Sequence, residues 1–311
     1  MSLEVWPLIG LQCQKLRVNG DSNPPGPTTL KFGLDFARQR DTLNGVPFAS
    51  PHAPAEGRLS TLAVIPARLG ATRLPRKPLR LLGGAPLIVR VWERIAESGA
   101  VDRVIVATDS EEIASVVRER GGDVAMTRTD HPSGTDRVAE VAERPDCLSF
   151  DVIVNVQGDE PFVRPEAIAG AASLVRKGLF PLATCAAHAA AGVVDNPDVV
   201  KVVCGDDGRA LYFSRAPIPF LRDRADLGER NRMVRHHLGL YAYTREALRK
   251  WVALPVHALE RIERLEQLRP LAAGMAMGVH LVDAPPLGGV DTEEDLARAN
   301  ALWDDLFAGR P

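Results

Sequence analysis

The sequence predicts an α/β protein: a Rossmann-like, mostly parallel sheet flanked by helices, with an inserted antiparallel portion. Three observations lead there. Short continuous apolar runs such as Leu62-Ala63-Val64-Ile65 have the look of central strands buried on both faces. Helical patterns of about ten residues separate the early runs, which implies right-handed βαβ crossovers. From Leu182 onward the pattern is less regular, and strand-like segments follow one another.

The elements follow in order. The texture changes at Thr61, and Leu62–Ile65 is the first strand. Pro86 opens a helical pattern carried by Leu87, Ile88, Val91, Trp92 and Ile95 that stops near Gly99. Arg103–Ala107 is a second buried strand. Asp109 with Glu112 three residues later suggests a capping box for the helix carrying Ile113, Val116 and Val117. Gly121-Gly122 ends that helix, where positive φ is wanted. Val124–Met126 and Val152–Val156 read as the third and fourth strands. Leu182–Ala187, Val199–Val203, Arg209–Ser214 and Gly239–Tyr243 read as later strands, with a charged segment, Arg222–Arg232, before the last. Helical patterns return at Arg245–Val252, Ala258–Leu268 and Thr292–Trp303.

The chain has 311 residues, 45% hydrophobic and 25% charged, enough for a substantial core without staples. Lys plus Arg total 38 against 40 Asp plus Glu, a balance that argues against broad electrostatic binding to nucleic acid. Cys13, Cys147, Cys185 and Cys204 form no CxxC pair, so neither a zinc ribbon nor a disulfide framework is expected. No apolar run reaches the roughly 18 residues that cross a bilayer, and a cytoplasmic enzyme without membrane insertion is the expectation. Residues 1–59 carry no hydrophobic period and many breakers, including Asn23-Pro24-Pro25-Gly26-Pro27. They read as a non-globular extension, with residues 60–311 as one catalytic domain.

In parallel sheets ligands bind beyond the carboxyl ends of the strands, here the loops after Ile65, Thr108 and Val156. The first of these, Pro66 to Pro78, is neither GxGxxG nor GxxxxGK[ST]. It places Arg68, Arg73, Arg76 and Lys77 close together, beside the small residues Ala67, Gly70 and Ala71. A basic loop is often merely solvated. At the ligand edge of a sheet, however, such a cluster suits a polyanion, because Arg forks match phosphate oxygens and backbone amides can approach.

These residues carry a resemblance. Val64-Ile65-Pro66-Ala67-Arg68, Thr72-Arg73-Leu74-Pro75 and Lys77-Pro78-Leu79 resemble the signature of sugar nucleotidyltransferases, and within them the 3-deoxy-manno-octulosonate (Kdo) cytidylyltransferase family. The similarity extends through Val106-Ala107-Thr108-Asp109, Met126–Thr135, Asn155–Pro161 and Leu211–Arg215. It continues with His237–Tyr241, Leu265–Arg269 and Gly289–Thr292. Two positions depart from the family: Arg76 stands where a glycine is expected and Ala71 where a serine is frequent, which bears on loop conformation more than on activity.

The resemblance implies the nucleotide-diphospho-sugar transferase fold and transfer of CMP from CTP to the anomeric hydroxyl of Kdo, for lipopolysaccharide biosynthesis. It implies magnesium on Asp159 and Asp291, with Arg68 and Lys77 also catalytic. Nucleotide contacts are implied for Pro66, Ala67, Arg68, Thr72, Arg73, Lys77, Thr108, Asp109, Ser133 and Gln157. The sugar acid is implied to meet Gln157, Arg215, His237, Tyr241, Glu266 and Gln267, and residues 182–245 to form the sugar-acid and dimer-contact portion of a homodimer. Read locally, several of these have plainer duties: Asp291 and Ser133 suit helix caps, and Glu266-Gln267 a polar helix face. Another acidic sugar, such as 8-amino-Kdo or a sialic acid, or nucleotide binding without turnover, remains open at this point.

Overall fold

The computed structural model describes residues 59–70, 73–189, 192–283 and 287–307. All but the last residue of the predicted extension lies outside them, as does Thr72. In chain order the elements are β1 (Thr61–Ala67), β2 (Leu81–Leu82), β3 (Ala85–Pro86), α1 (Leu87–Ala96), β4 (Arg103–Thr108), α2 (Glu111–Arg118) and β5 (Asp123–Met126). Next come α3 (Gly134–Ala142), β6 (Val152–Asn155), α4 (Pro165–Arg176), β7 (Leu182–His188), β8 (Lys201–Cys204), β9 (Ala210–Ser214) and α5 (Leu227–Met233). The chain continues through β10 (Arg235–Thr244), α6 (Arg245–Ala253), α7 (Ala258–Glu263), α8 (Leu268–Ala272), β11 (Met277–Val282) and α9 (Glu293–Phe307).

The main sheet runs β11-β7-β10-β6-β1-β4-β5. β1 pairs in parallel with both β4 and β6, and β4 with β5. The inserted antiparallel portion is β10, which opposes β6 and β7, together with the β8–β9 pair leading off it. Each apolar run is buried on both faces because alternate residues enter different cores. Ala63, Ile65, Val104, Val106 and Val154 meet α1, α2, α4 and α9 on one side. Leu62, Val64, Ile105, Ala107 and Ile153 meet α3, α6 and α8 on the other.

Several expectations need correction. The helix after Thr108 is capped not by Asp109 but by Ser110, whose Oγ accepts from Ile113 N at 3.4 Å. Asp109 is instead drawn to Arg137. The helix expected over Ala258–Leu268 breaks where Arg264 turns left-handed at φ 56°, so α7 and α8 are separate. The strand expected over Gly239–Tyr243 begins at Arg235, four residues earlier, and carries a bulge between Leu238 and Tyr241. The β2–β3 hairpin, with Gly83 and Gly84 both at positive φ, and the edge strand β11 were not anticipated.

Candidate active site

The carboxyl end of β1, the segment after β6 and the start of α3 open on a cleft of about 360 Å³. The chain runs outward from β1 to β4 and β5, then returns to β6 on the other side of β1, and this reversal places the cleft. Among the predicted residues, Pro66, Ala67, Arg68, Arg73, Lys77, Ser133, Gln157, Asp159 and Asp291 line it. His131 and Arg137 line it too, though the sequence reading did not select them.

The basic loop is folded by Arg76 and Pro78. Lys77–Leu79 forms a 3₁₀ turn whose preceding residue, Arg76, sits in the left-handed region at φ 56°. That is the position where the family pattern expects glycine, and a Cβ there is strained. The Arg76 side chain is exposed and pairs with Glu112, away from the cleft. Arg76→Gly is therefore expected to leave kcat within twofold and to raise Tm by about 1–3 °C, read by calorimetry. A fall in Tm would show that the Glu112 pairing outweighs the backbone strain.

Asp159 and Asp291 converge although they lie far apart in sequence. Val290 N donates to Asp159 O at 2.9 Å, stitching the two loops together. Gly289 permits this approach: a Cβ there would stand 2.8 Å from Glu160 Oε1 and 3.2 Å from Asp159 O. Asp291 is not a simple cap. The start of α9 is tied by Thr292 Oγ1, which accepts from Asp295 N, and by Asp295 Oδ2, which accepts from the amides of Asp291 and Thr292. The Asp291 carboxylate is left free to face the cleft. Lys77 Nζ donates to Asp159 Oδ2 at 2.5 Å and to Asp291 Oδ1 at 2.8 Å, and Arg73 Nη2 donates to Asp291 Oδ2 at 2.9 Å. Burial works against the Lys77 charge, but Asp159 and Asp291 outweigh it and hold the ammonium above the ordinary lysine range. Glu160 stands behind this pair. Burial, then the charges of Asp159 and Asp291, push its carboxyl up to about 8.

The two carboxylates are thus close enough to share one cation, here the Lys77 ammonium. An all-oxygen pair of this kind suits magnesium, which takes its remaining ligands from phosphates and water. No group of three or more His, Cys, Asp or Glu side chains forms a fuller metal centre among the described residues.

On the nucleotide side, Ser133 caps α3 by accepting from Asp136 N, and it lines the cleft as well. Arg137, nearly buried in the first turns of α3, donates to Thr127 Oγ1 and, at 3.2 Å, to Asp109 Oδ2. Thr108 is buried, and its Oγ1 accepts from Ser110 N at 3.1 Å. Thr108 and Asp109 therefore support the cleft wall without lining it.

The predicted sugar-acid residues divide. His237, Tyr241 and Gln267 are buried, with the His237 ring between Phe213 and Tyr241. Glu266 accepts from Thr135 Oγ1 at 2.7 Å, linking this group to the turn that carries Ser133, and burial raises its pKa. Gln157 and His237 also line a second cavity of about 140 Å³, with Glu160 and Gly289, so Gln157 touches both spaces. Arg215 lines neither cavity: its guanidinium donates to Glu263 O at 3.0 Å and Pro197 O at 3.1 Å.

Burial holds the His237 imidazole neutral, its pKa depressed to about 3. In the unfolded chain a histidine protonates near 6.5. Below that pH the unfolded state binds a proton that the folded state refuses, so this residue erodes stability as pH falls from about 6.5 towards 3. Denaturant titrations across that window should show a shallower loss in His237→Asn than in wild type. Equal slopes would mean that His237 protonates within the fold.

Comparison with known proteins identifies the family. A family model described as cytidylyltransferase matches residues 62–277. The 3-deoxy-manno-octulosonate cytidylyltransferase of Gemmatimonas aurantiaca is 60% identical over 250 residues, spanning 80% of this chain and 96% of that protein. This chain belongs to the 3-deoxy-manno-octulosonate cytidylyltransferase family. As a member it is a nucleotidyltransferase, an enzyme. Another member of the Kdo cytidylyltransferase family, from Herminiimonas arsenicoxydans, is 52% identical over 252 residues, spanning 79% of this chain and 99% of its own. A solved CMP:2-keto-3-deoxy-manno-octonic acid synthetase complexed with CTP superposes with TM-score 0.74 at 39% identity, over 80% of this chain and all of that one. The 4-diphosphocytidyl-2C-methyl-D-erythritol synthase of Anaerococcus prevotii shares the fold alone, with TM-score 0.53 at 15% identity, over 79% of this chain and 99% of its own. Among the described residues no helix is long and apolar enough to cross a membrane.

Proposed function

We propose that this enzyme transfers CMP from CTP to the anomeric hydroxyl of Kdo, releasing pyrophosphate and CMP-Kdo for lipopolysaccharide biosynthesis. The observation that carries this reading is the convergence of Asp159 and Asp291 beside Lys77 and Arg73, at the ligand edge of a sheet built as in this family.

Arg68, Arg73 and Lys77 hold the triphosphate and neutralise the charge that builds on departing pyrophosphate. Asp159 and Asp291 would hold magnesium, which when bound would lower the pKa of the anomeric hydroxyl and offset charge on the α-phosphate. The anomeric oxygen attacks the α-phosphorus, the bond from that phosphorus to the bridging oxygen breaks, and the hydroxyl proton passes to solvent. Gln157, which borders both cavities, orients the sugar acid against the nucleotide. His237, Tyr241, Glu266 and Gln267 wall the acid's pocket. Arg215 reaches the acid's carboxylate only by giving up its carbonyl partners. Catalysis rests on positioning and charge neutralisation, with no covalent enzyme intermediate. The same reading makes the protein a cytoplasmic homodimer.

A pyrophosphate-release assay over CTP, UTP and ATP, each with Kdo, 8-amino-Kdo and a sialic acid, tests the assignment. CTP with Kdo is expected to give the highest kcat/KM, and a higher value for another acid would move the assignment to that sugar. In this reading residues 60–311 are the catalytic unit. Deleting residues 1–58 is then expected to leave kcat within about twofold and Tm nearly unchanged. A large loss of either would make the extension part of the working enzyme.

A further inference from the structure

Lys77 holds a second position in this site besides the one its charge suits. Its ammonium lies between the two carboxylates, within 2.5 Å of Asp159 Oδ2 and 2.8 Å of Asp291 Oδ1. Arg73 takes the other oxygen of Asp291 at 2.9 Å. Two carboxylates face two cations, so the cluster carries no net charge. The Lys77 side chain is the more buried partner, only 17% exposed, so its contacts are screened less than the Arg73 pair, whose arginine is 70% exposed.

We infer that Lys77 is a guard on the metal site: it occupies the carboxylate oxygens that a divalent cation needs and yields them only when a triphosphate draws its ammonium away. This rests on the reading of Asp159 and Asp291 as the metal ligands. A divalent ion approaching without nucleotide meets a neutral cluster and must displace an ammonium held by two charge-assisted bonds. A triphosphate offers Lys77 and Arg73 competing anionic oxygens, which uncovers the carboxylates while supplying further oxygen ligands. Metal and nucleotide then bind cooperatively, and by linkage each tightens the other. The loop after β1 is thus a switch between two partners of one lysine, with the carboxylates on one side and the phosphates on the other.

The test uses the full chain, with Mn²⁺ as the probe and no nucleotide, counting free Mn²⁺ by electron paramagnetic resonance at neutral pH. Wild type is expected to bind weakly. Lys77→Gln, which keeps an N–H donor on a slightly shorter side chain but loses the charge, is expected to bind at least tenfold more tightly. Lys77→Arg keeps the charge and should remain as weak as wild type, whereas a general loosening of the loop would tighten both variants. If Lys77→Gln does not give a cooperative melt by circular dichroism, Lys77→Met carries the same comparison. Lys77→Gln binding no more tightly than wild type overturns the guard. Asp159→Asn placed on the Lys77→Gln background separates the two layers of argument. Loss of Mn²⁺ binding there keeps these carboxylates as the metal ligands, and unchanged binding removes them.

Discussion

Asp159→Asn and Asp291→Asn are each expected to lower kcat by about 10³-fold or more at saturating magnesium, with Tm nearly unchanged. Each substitution removes one formal charge and turns one carboxylate oxygen into an amide nitrogen while keeping side-chain size. The fold has little at stake in either carboxylate. Their side chains are 30% and 44% exposed, and each variant leaves Lys77 with the other aspartate as partner. The helix start beside Asp291 is secured by Thr292 and Asp295, so its cap survives the change. The double variant should be scarcely slower than either single one, because a half-built cation site is hardly better than none. Steady-state kinetics with a magnesium titration reads all three. Near-normal kcat in either single variant would reduce that aspartate to a structural residue and remove the metal from the proposed chemistry.

The parts of this site that were legible in the sequence were those whose signal is local. The strands β1, β4 and β6 are continuous apolar runs because both faces are buried, and the loops at their ends announced themselves by charge. The strand β11 was not legible. Its sequence, MGVHLV, contains a glycine and a histidine that make sense only against distant partners. The Phe180 ring would meet a Cβ on Gly278 at 2.3 Å, and the His280 ring one on Gly170 at 2.0 Å. Similarly, the strand expected from Gly239 starts at Arg235, where Arg235-His236-His237 pairs with Ala186 to His188 on one side and, through Arg235 and His236, with Lys201 and Val202 on the other. Arg264 gave no warning that a helix would break there, since nothing about arginine favours the left-handed region. Arg137 escaped notice for the opposite reason. An arginine on a helix is usually solvated, and only the fold shows Thr127 and Asp109 closing around it. Asp291 is the most instructive residue. Its neighbours suggested a cap, the family pattern suggested a ligand, and the fold assigns the cap to Thr292 and Asp295.

Lys77→Gln is expected to reduce kcat/KM for CTP by about 10²–10³-fold, the cost of removing one charged contact from a transferring phosphate. Kdo affinity, measured alone by calorimetry, should stay within about twofold. The asymmetry follows from placement. Lys77 lies on the loop after β1, whereas His237 and Tyr241 are on β10 and Glu266 meets the α3 turn through Thr135. Of the predicted sugar-acid residues, only Gln157 shares a cavity with Lys77. Weakened Kdo binding with normal CTP binding would show that the basic loop serves the sugar acid instead. The same substitution is expected to tighten Mn²⁺ binding in the absence of nucleotide, so its two effects run in opposite directions. A collapsed or misfolded loop would weaken both ligands together. A lysine that competes with the metal for Asp159 and Asp291, and also binds the phosphates, makes one ligand tighter and the other looser through the loss of a single charge, and Lys77→Arg, which keeps that charge, should not tighten Mn²⁺.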